Sequence, residues 1–169
     1  MESGMISQLQ KAKRYAEEPE RVTLETLSLH FQGDNNEYDL ALDRDGWVCS
    51  CPGFGMHGLC PHIMSLERLL RPMLKRQPMP YGPHQNVVSD VDKANRYYAE
   101  QDRMKIRQFR AKFLGSNSEH IVTYEEGRWD CDSFSFTRLG VSSHTIAMER
   151  MLGELVKPQN RGEAVEPED

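Results

Sequence analysis

Shifted along itself by 82 residues, the chain lays residues 11–72 over residues 93–154 without a gap, with 18 identities in 62 positions, about 29%. A fold for this sequence therefore has to be built from two copies of one module. The identities fall at structurally demanding places. Lys11-Ala-Lys-Arg-Tyr15 lies on Lys93-Ala-Asn-Arg-Tyr97, Gly33 on Gly115, and Trp47, Cys49, Phe54, Gly58 and His62 lie on Trp129, Cys131, Phe136, Gly140 and His144. Between the copies, residues 75–90 hold Pro78, Pro80, Gly82 and Pro83, and together with Pro72 these breakers predict a linker. Residues 157–169 are polar and acidic with little to bury, which predicts a disordered tail.

Within a copy the pattern predicts helix, antiparallel strands, knuckle and helix. Met5, Ile6, Leu9, Ala12 and Ala16 share one face of a helix over residues 5–17 that Pro19 ends. Val22 and Leu24 alternate in one phase and Leu27, Leu29 and Phe31 in the other, and Met104 and Ile106 slip in the same way against Phe109, Ala111 and Phe113. A shared slip predicts a bulge at the same place in both copies. Gly33-Asp-Asn-Asn36 and Gly115-Ser-Asn-Ser118 are turn-formers that close a hairpin onto strands near residues 37–43 and 119–125. Ile63, Leu66, Leu69, Leu70 and Met73 recur at helical spacing, and Ile146, Met148, Met151, Leu152 and Leu155 do so less regularly. The expected fold is α+β: module 1–74, linker 75–90, module 91–156 and tail 157–169. Each module has a helix stripe and too little core to stand alone, so size and repetition suggest a pseudo-twofold unit.

Three of the four cysteines stand together as Cys49-Ser-Cys51, eight further residues, then Cys60-Pro-His62. Three thiolates and an imidazole are the donor types zinc prefers in a closed tetrahedral site. Alternate side chains of an extended segment point the same way, so Cys49 and Cys51 can both face one ion, and Gly53, Gly55 and Gly58 let the chain fold back to bring Cys60 and His62 to it. His57, inside the loop, is a competing fourth donor. A closed four-donor cage leaves no position for a catalytic water, so no enzyme activity and no small-molecule substrate are expected. Zinc binding to such a site supplies ~10–16 kcal/mol in small finger peptides, as much as the whole net stability of a domain.

The arrangement Cys-x-Cys, a spacer, Cys-x-His, preceded by Trp47 and followed by an apolar helix, resembles the SWIM-type zinc finger. The resemblance covers about residues 37–74 strongly and residues 119–156 weakly. It implies one structural zinc ion held by Cys49, Cys51, Cys60 and His62, and a role in protein or DNA binding. That family takes its name from helicase-like ATPases and plant transposases, and nothing else in this sequence resembles either. The second copy keeps Cys131 and His144 but has Ser133 and Ser142 where the first has Cys51 and Cys60. Neutral hydroxyls are poor zinc ligands, so the second site is expected to be a metal-free pseudo-site. Asp132 is the one residue nearby that could join Cys131 and His144, and strand alternation turns it the opposite way from Cys131.

The net charge of −5 argues against a generally basic nucleic-acid wrapper. Arg103, Lys105, Arg107, Arg110 and Lys112 nevertheless form the densest basic run, a candidate phosphate-contacting strand. Its plainer reading is a solvated sheet face, and the helix pairs Glu67-Arg68 and Glu149-Arg150 are read as solvated too. Trp47 and Trp129 are expected to be buried. The expected role is a protein-interaction adaptor, with DNA binding as the alternative. No apolar run approaches the roughly 20 residues of a membrane span, and the N-terminus lacks a secretory pattern, so a reducing, cytoplasmic location is expected.

Overall fold

The structure is a computed structural model that describes residues 3–159. The chain runs through α1 (Ser3–Ala16), β1 (Val22–Gln32), β2 (Glu37–Asp43), β3 (Gly46–Cys49), α2 (Pro52–His57), α3 (Pro61–Leu74), α4 (Val87–Ala99), β4 (Met104–Leu114), β5 (Glu119–Glu125), β6 (Arg128–Cys131), α5 (Phe134–Leu139) and α6 (Ser143–Leu152). Single 3₁₀ turns precede β1 and β4 and follow α6. The fold is α+β, and every strand pair is antiparallel in one six-stranded sheet ordered β3-β2-β1-β4-β5-β6.

The centre of the sheet is the β1–β4 pair, which reads the same from either copy. Val22 opposes Phe113 and Phe31 opposes Met104, Leu24 opposes Ala111 and Leu29 opposes Ile106, and Leu27 faces its own counterpart Phe109. The pairing therefore turns about a point between Leu27 and Phe109. It skips a residue at Glu25 and at Arg107, the two places where the hydrophobic phase slips in the sequence. Alternation then buries Val22, Leu24, Leu27, Leu29 and Phe31, with Met104, Ile106, Phe109, Ala111 and Phe113, on one face of the sheet. Thr23, Ser28, His30, Lys105 and Arg110 stay partly or fully exposed on the other.

The helices cross between the copies. α1 packs on α6 and α4 packs on α3, so each C-terminal helix lies against the N-terminal helix of the other repeat. Arg68 of α3 donates to Asn95 of α4 (2.6 Å) and its guanidinium covers the Tyr98 ring at 4.1 Å. Glu67 is buried and accepts from the Met79 amide (2.9 Å). The expectation of a solvated face thus fails for Glu67, which the connecting segment covers, and holds for Arg68, which stays exposed while reaching the other repeat's helix.

α3 ends at Leu74, the expected end of the first module; it passes Pro72 because a proline in the last turn forfeits a single backbone hydrogen bond, and Lys75 then caps in the left-handed conformation (φ 56°). Two other boundaries differ from expectation. The predicted linker ends early, with α4 starting at Val87 behind the Asn86 cap. The first residues of the predicted tail are held: Trp129 Nε1 donates to the Lys157 carbonyl (3.0 Å), the Lys157 amide to Tyr124 Oη (2.9 Å), and the Gln159 amide to Glu149 (2.7 Å). The rest of that predicted tail, residues 160–169, lies outside the described residues.

Candidate metal centre

Cys49 ends edge strand β3 opposite Leu40, and a reciprocal pair of bonds between Asp39 and Ser50 fixes the turn that follows. Cys51 is then the N-cap of α2 and Cys60 the N-cap of α3, each followed by a proline suited to the first helical turn. Their sulfurs take the place of the usual capping oxygen: Cys51 Sγ accepts from the Phe54 amide (3.4 Å) and Cys60 Sγ from the Ile63 amide (3.5 Å). Both contacts favour the thiolate form. Gly58 ends α2 at φ 77°, a left-handed turn that redirects the chain so Cys60 returns beside Cys51. Residues 52–57 are a short helix where the glycines of this segment suggest a loop. The proline opening and glycine closing a six-residue segment were the signal for a short helix.

Cys49, Cys51, Cys60 and His62 are all buried, and their donor atoms lie within 4.8 Å of one another. Cys49 Sγ stands 3.8 Å from His62 Nδ1. Zn–S bonds of about 2.3 Å and Zn–N bonds of about 2.0–2.1 Å make tetrahedron edges of roughly 3.5–3.8 Å, so the four donors fit one ion after a small contraction. The cluster could hold a metal ion. Its protonation points the same way: hydrogen bonds from Cys49 and Cys60 pull the Cys51 thiol far down, Cys51 pushes Cys49 up to about 11, and Cys49 and Cys51 push Cys60 up further. Three sulfurs this close cannot all ionise unless a cation shares the space.

His57 is not part of the cluster. Its Nδ1 lies 2.9 Å from the Pro83 carbonyl, which turns the ring toward the connecting segment. His62 instead sits in an aromatic enclosure, with Phe31 and Tyr38 each 4.8 Å away and Tyr97 of the other repeat stacked at 5.4 Å and 18°. These rings were not predicted as site residues, although the Tyr15/Tyr97 identity between the copies was the available signal.

The equivalent place in the second copy keeps the frame without the donors. Ser133 and Ser142 cap α5 and α6 with dihedrals of −76°/152° and −141°/166°, against −75°/155° and −147°/165° for Cys51 and Cys60. Cys131 Sγ lies 3.4 Å from Ser133 Oγ and 3.9 Å from His144 Nδ1. Asp132 turns away, accepting from the Ile121 amide and bonding His120 Nδ1, both at 3.1 Å. Among the described residues, the group of three or more such side chains placed to hold a metal is the one at Cys49, Cys51, Cys60 and His62. Burial, and then His120, push the His144 pKa down to about 4, so it is neutral at pH 7.

The basic run does not gather into one free patch. Arg103, in the turn before β4, binds Asp34 and Glu100. Arg107 pairs with Asp39, and Arg110 and Lys112 share Glu25. Lys105 reaches the Glu154 carbonyl. No helix among the described residues is long and apolar enough to cross a membrane. Compared with protein-family models, with curated proteins and with solved structures, the chain matches none.

Proposed function

We propose that this chain is a zinc-binding protein of the SWIM zinc finger kind, in which one structural ion on Cys49, Cys51, Cys60 and His62 holds together a non-enzymatic adaptor for a protein partner in a reducing, cytoplasmic setting. The observation that carries the reading is the buried Cys₃His donor set gathered within 4.8 Å. Three sulfurs and an imidazole favour zinc over the hard cations, which take oxygen ligands. Four protein donors complete its tetrahedron, so no position is left for a reacting water. A protein partner is favoured over DNA because Arg107, Arg110 and Lys112 are committed to Asp39 and Glu25, which neutralises the strand that would meet phosphates.

Native mass spectrometry under reducing conditions tests the metal. One zinc per chain is expected, retained by Cys131→Ser and lost by Cys60→Ser. Unchanged stoichiometry in Cys60→Ser would sink the assignment. Salt-sensitive DNA binding that disappears on neutralising Arg107, Arg110 and Lys112 would replace the adaptor by the DNA-binding alternative.

A further inference from the structure

The two copies differ most sharply, apart from the cysteines, in how they treat one conserved-geometry pair of arginines. In the first half, Asp34 in the β1–β2 turn receives Arg96 through both oxygens (2.6 and 2.9 Å), Arg103 at 3.3 Å and the Tyr97 hydroxyl at 3.3 Å. Arg96 and Arg103 also lie over the Tyr97 ring. In the second half, Arg14 and Arg21 lie over Tyr15 in the same way, at 5.1 and 4.7 Å. The residue in Asp34's place is Ser116, which meets Arg14 and the Tyr15 hydroxyl, each at 2.8 Å. Arg21 keeps a carboxylate, Glu18, but Arg14 makes no ion pair among the described residues. The second half thus has a hydroxyl where the first has a carboxylate, with an arginine facing it in both.

Ser116 also lines a cavity of about 200 Å³ between the β4–β5 turn, α1 and the start of α6. Its walls carry Lys11, His120, His144, Ser133 and Ser143, and no carboxylate. The equivalent cleft of the first half is lined by Asp34 and Asp90; their counterparts in the second are Ser116 and Gln8. Ser143 is 2% exposed, lies in the first turn of α6, and its hydroxyl has no hydrogen-bond partner among the described residues. Gly115 keeps the cavity open, since a Cβ there would lie 3.0 Å from His144 Nε2.

We propose that the cleft of the second half is a binding site for a compact ligand bearing a phosphate group, whose charge takes the place that the Asp34 carboxylate holds in the first half. Lys11 on the cavity wall supplies positive charge, Arg14 adds to it from outside the wall through its bond to Ser116, the hydroxyls of Ser116 and Ser143 donate to the ligand's oxygens, and the first turn of α6 adds its partial positive charge. The cavity is smaller than the roughly 300–1,000 Å³ typical of drug-sized ligands, which restricts the site to small molecules. A lapsed metal site thus stands beside a ligand site that neither the cysteine pattern nor the repeat revealed.

The zinc-loaded full chain is titrated with inorganic phosphate and, separately, with glycerol 3-phosphate, following backbone amides by NMR. Saturable shifts at Ser116, Ser143 and His144 are expected, with binding weakened about tenfold or more in Arg14→Gln and in Lys11→Gln. Lys93→Gln, at the equivalent place in the first cleft, should leave it unchanged. Ser116→Asp restores the first half's own arrangement, so it should fold and abolish binding. Tighter binding of glycerol 3-phosphate identifies an organic phosphate as the ligand, and equal binding identifies the free ion. Absence of saturable shifts, or Ser116→Asp binding as well as the wild type, overturns the proposal.

Discussion

His62 and His144 stand 82 residues apart in equivalent frames and face different chemistry. His62 turns Nδ1 to a thiol cluster and is oriented by rings, the nearest parallel one being Tyr97. Groups that orient a metal-binding imidazole typically change affinity or activity 10–100-fold when removed. Tyr97→Leu is therefore expected to speed zinc transfer to a chelator by about tenfold or more, although Tyr97 contributes no donor; a colorimetric chelator assay reads this directly. His144 has no such cluster, and its proton is the issue instead. Its folded pKa of about 4 lies below the ordinary value of about 6.5, so the unfolded chain binds the proton more readily. This contribution is intact above pH 6.5 and declines as pH falls toward 4, by about 3 kcal/mol when complete. Acid release of the proposed zinc would be common to wild type and His144→Leu, so it does not affect their comparison. Urea unfolding between pH 7 and 5 should show a shallower loss in the variant, and equal slopes would contradict the burial of a neutral imidazole.

At the scale of elements, the helix caps hold more information than the residues that fill them. Ser133 and Ser142 reproduce the backbone angles of Cys51 and Cys60 to within a few degrees, and both serve as N-caps through side chains that accept an amide proton. The frame is thus a property of the strand-to-helix turns and is the same whether cysteine or serine fills the cap. Ser133→Cys combined with Ser142→Cys should raise the stoichiometry from one zinc to two by native mass spectrometry, with Cys131 and His144 completing the set. A count that stays at one would show that the frame has drifted. The same scale divides what the sequence could and could not reveal. The repeat and the phase slip foretold the paired strands and the bulges at Glu25 and Arg107, because alternation is written locally. The Cys₃His set was legible because donor type and spacing are local too. The helix α2 was hidden by its shortness. The neutralisation of Arg110 by Glu25 and the stacking of Tyr97 on His62 join residues 85 and 35 positions apart in the chain, beyond any local pattern.

For the whole molecule, the decisive fact is that neither copy encloses its own site. The Cys₃His cluster of the first repeat is walled by α4 of the second, the equivalent place in the second by α1 of the first, and the β1–β4 pair runs through the centre. Losing the ion should then not unfold one half and spare the other, because the released α3 would leave α4 and the shared strands without their cover. Each copy carries one buried tryptophan, Trp47 beside the first cluster and Trp129 beside the second, so the halves can be watched separately. In Trp129→Phe and Trp47→Phe, fluorescence during urea unfolding reports one copy at a time. Both probes should give coincident transitions with zinc bound, and both midpoints should fall together when a chelator removes it, as a single cooperative unit requires. If only the Trp47 signal moved, the copies would be independent domains, and the exchanged helices would be too weakly packed to couple them. Coincidence would mean that one metal ion stabilises about 150 residues through a sheet whose two halves share every layer, which gives the copy that has lost its ligands its reason to keep the frame.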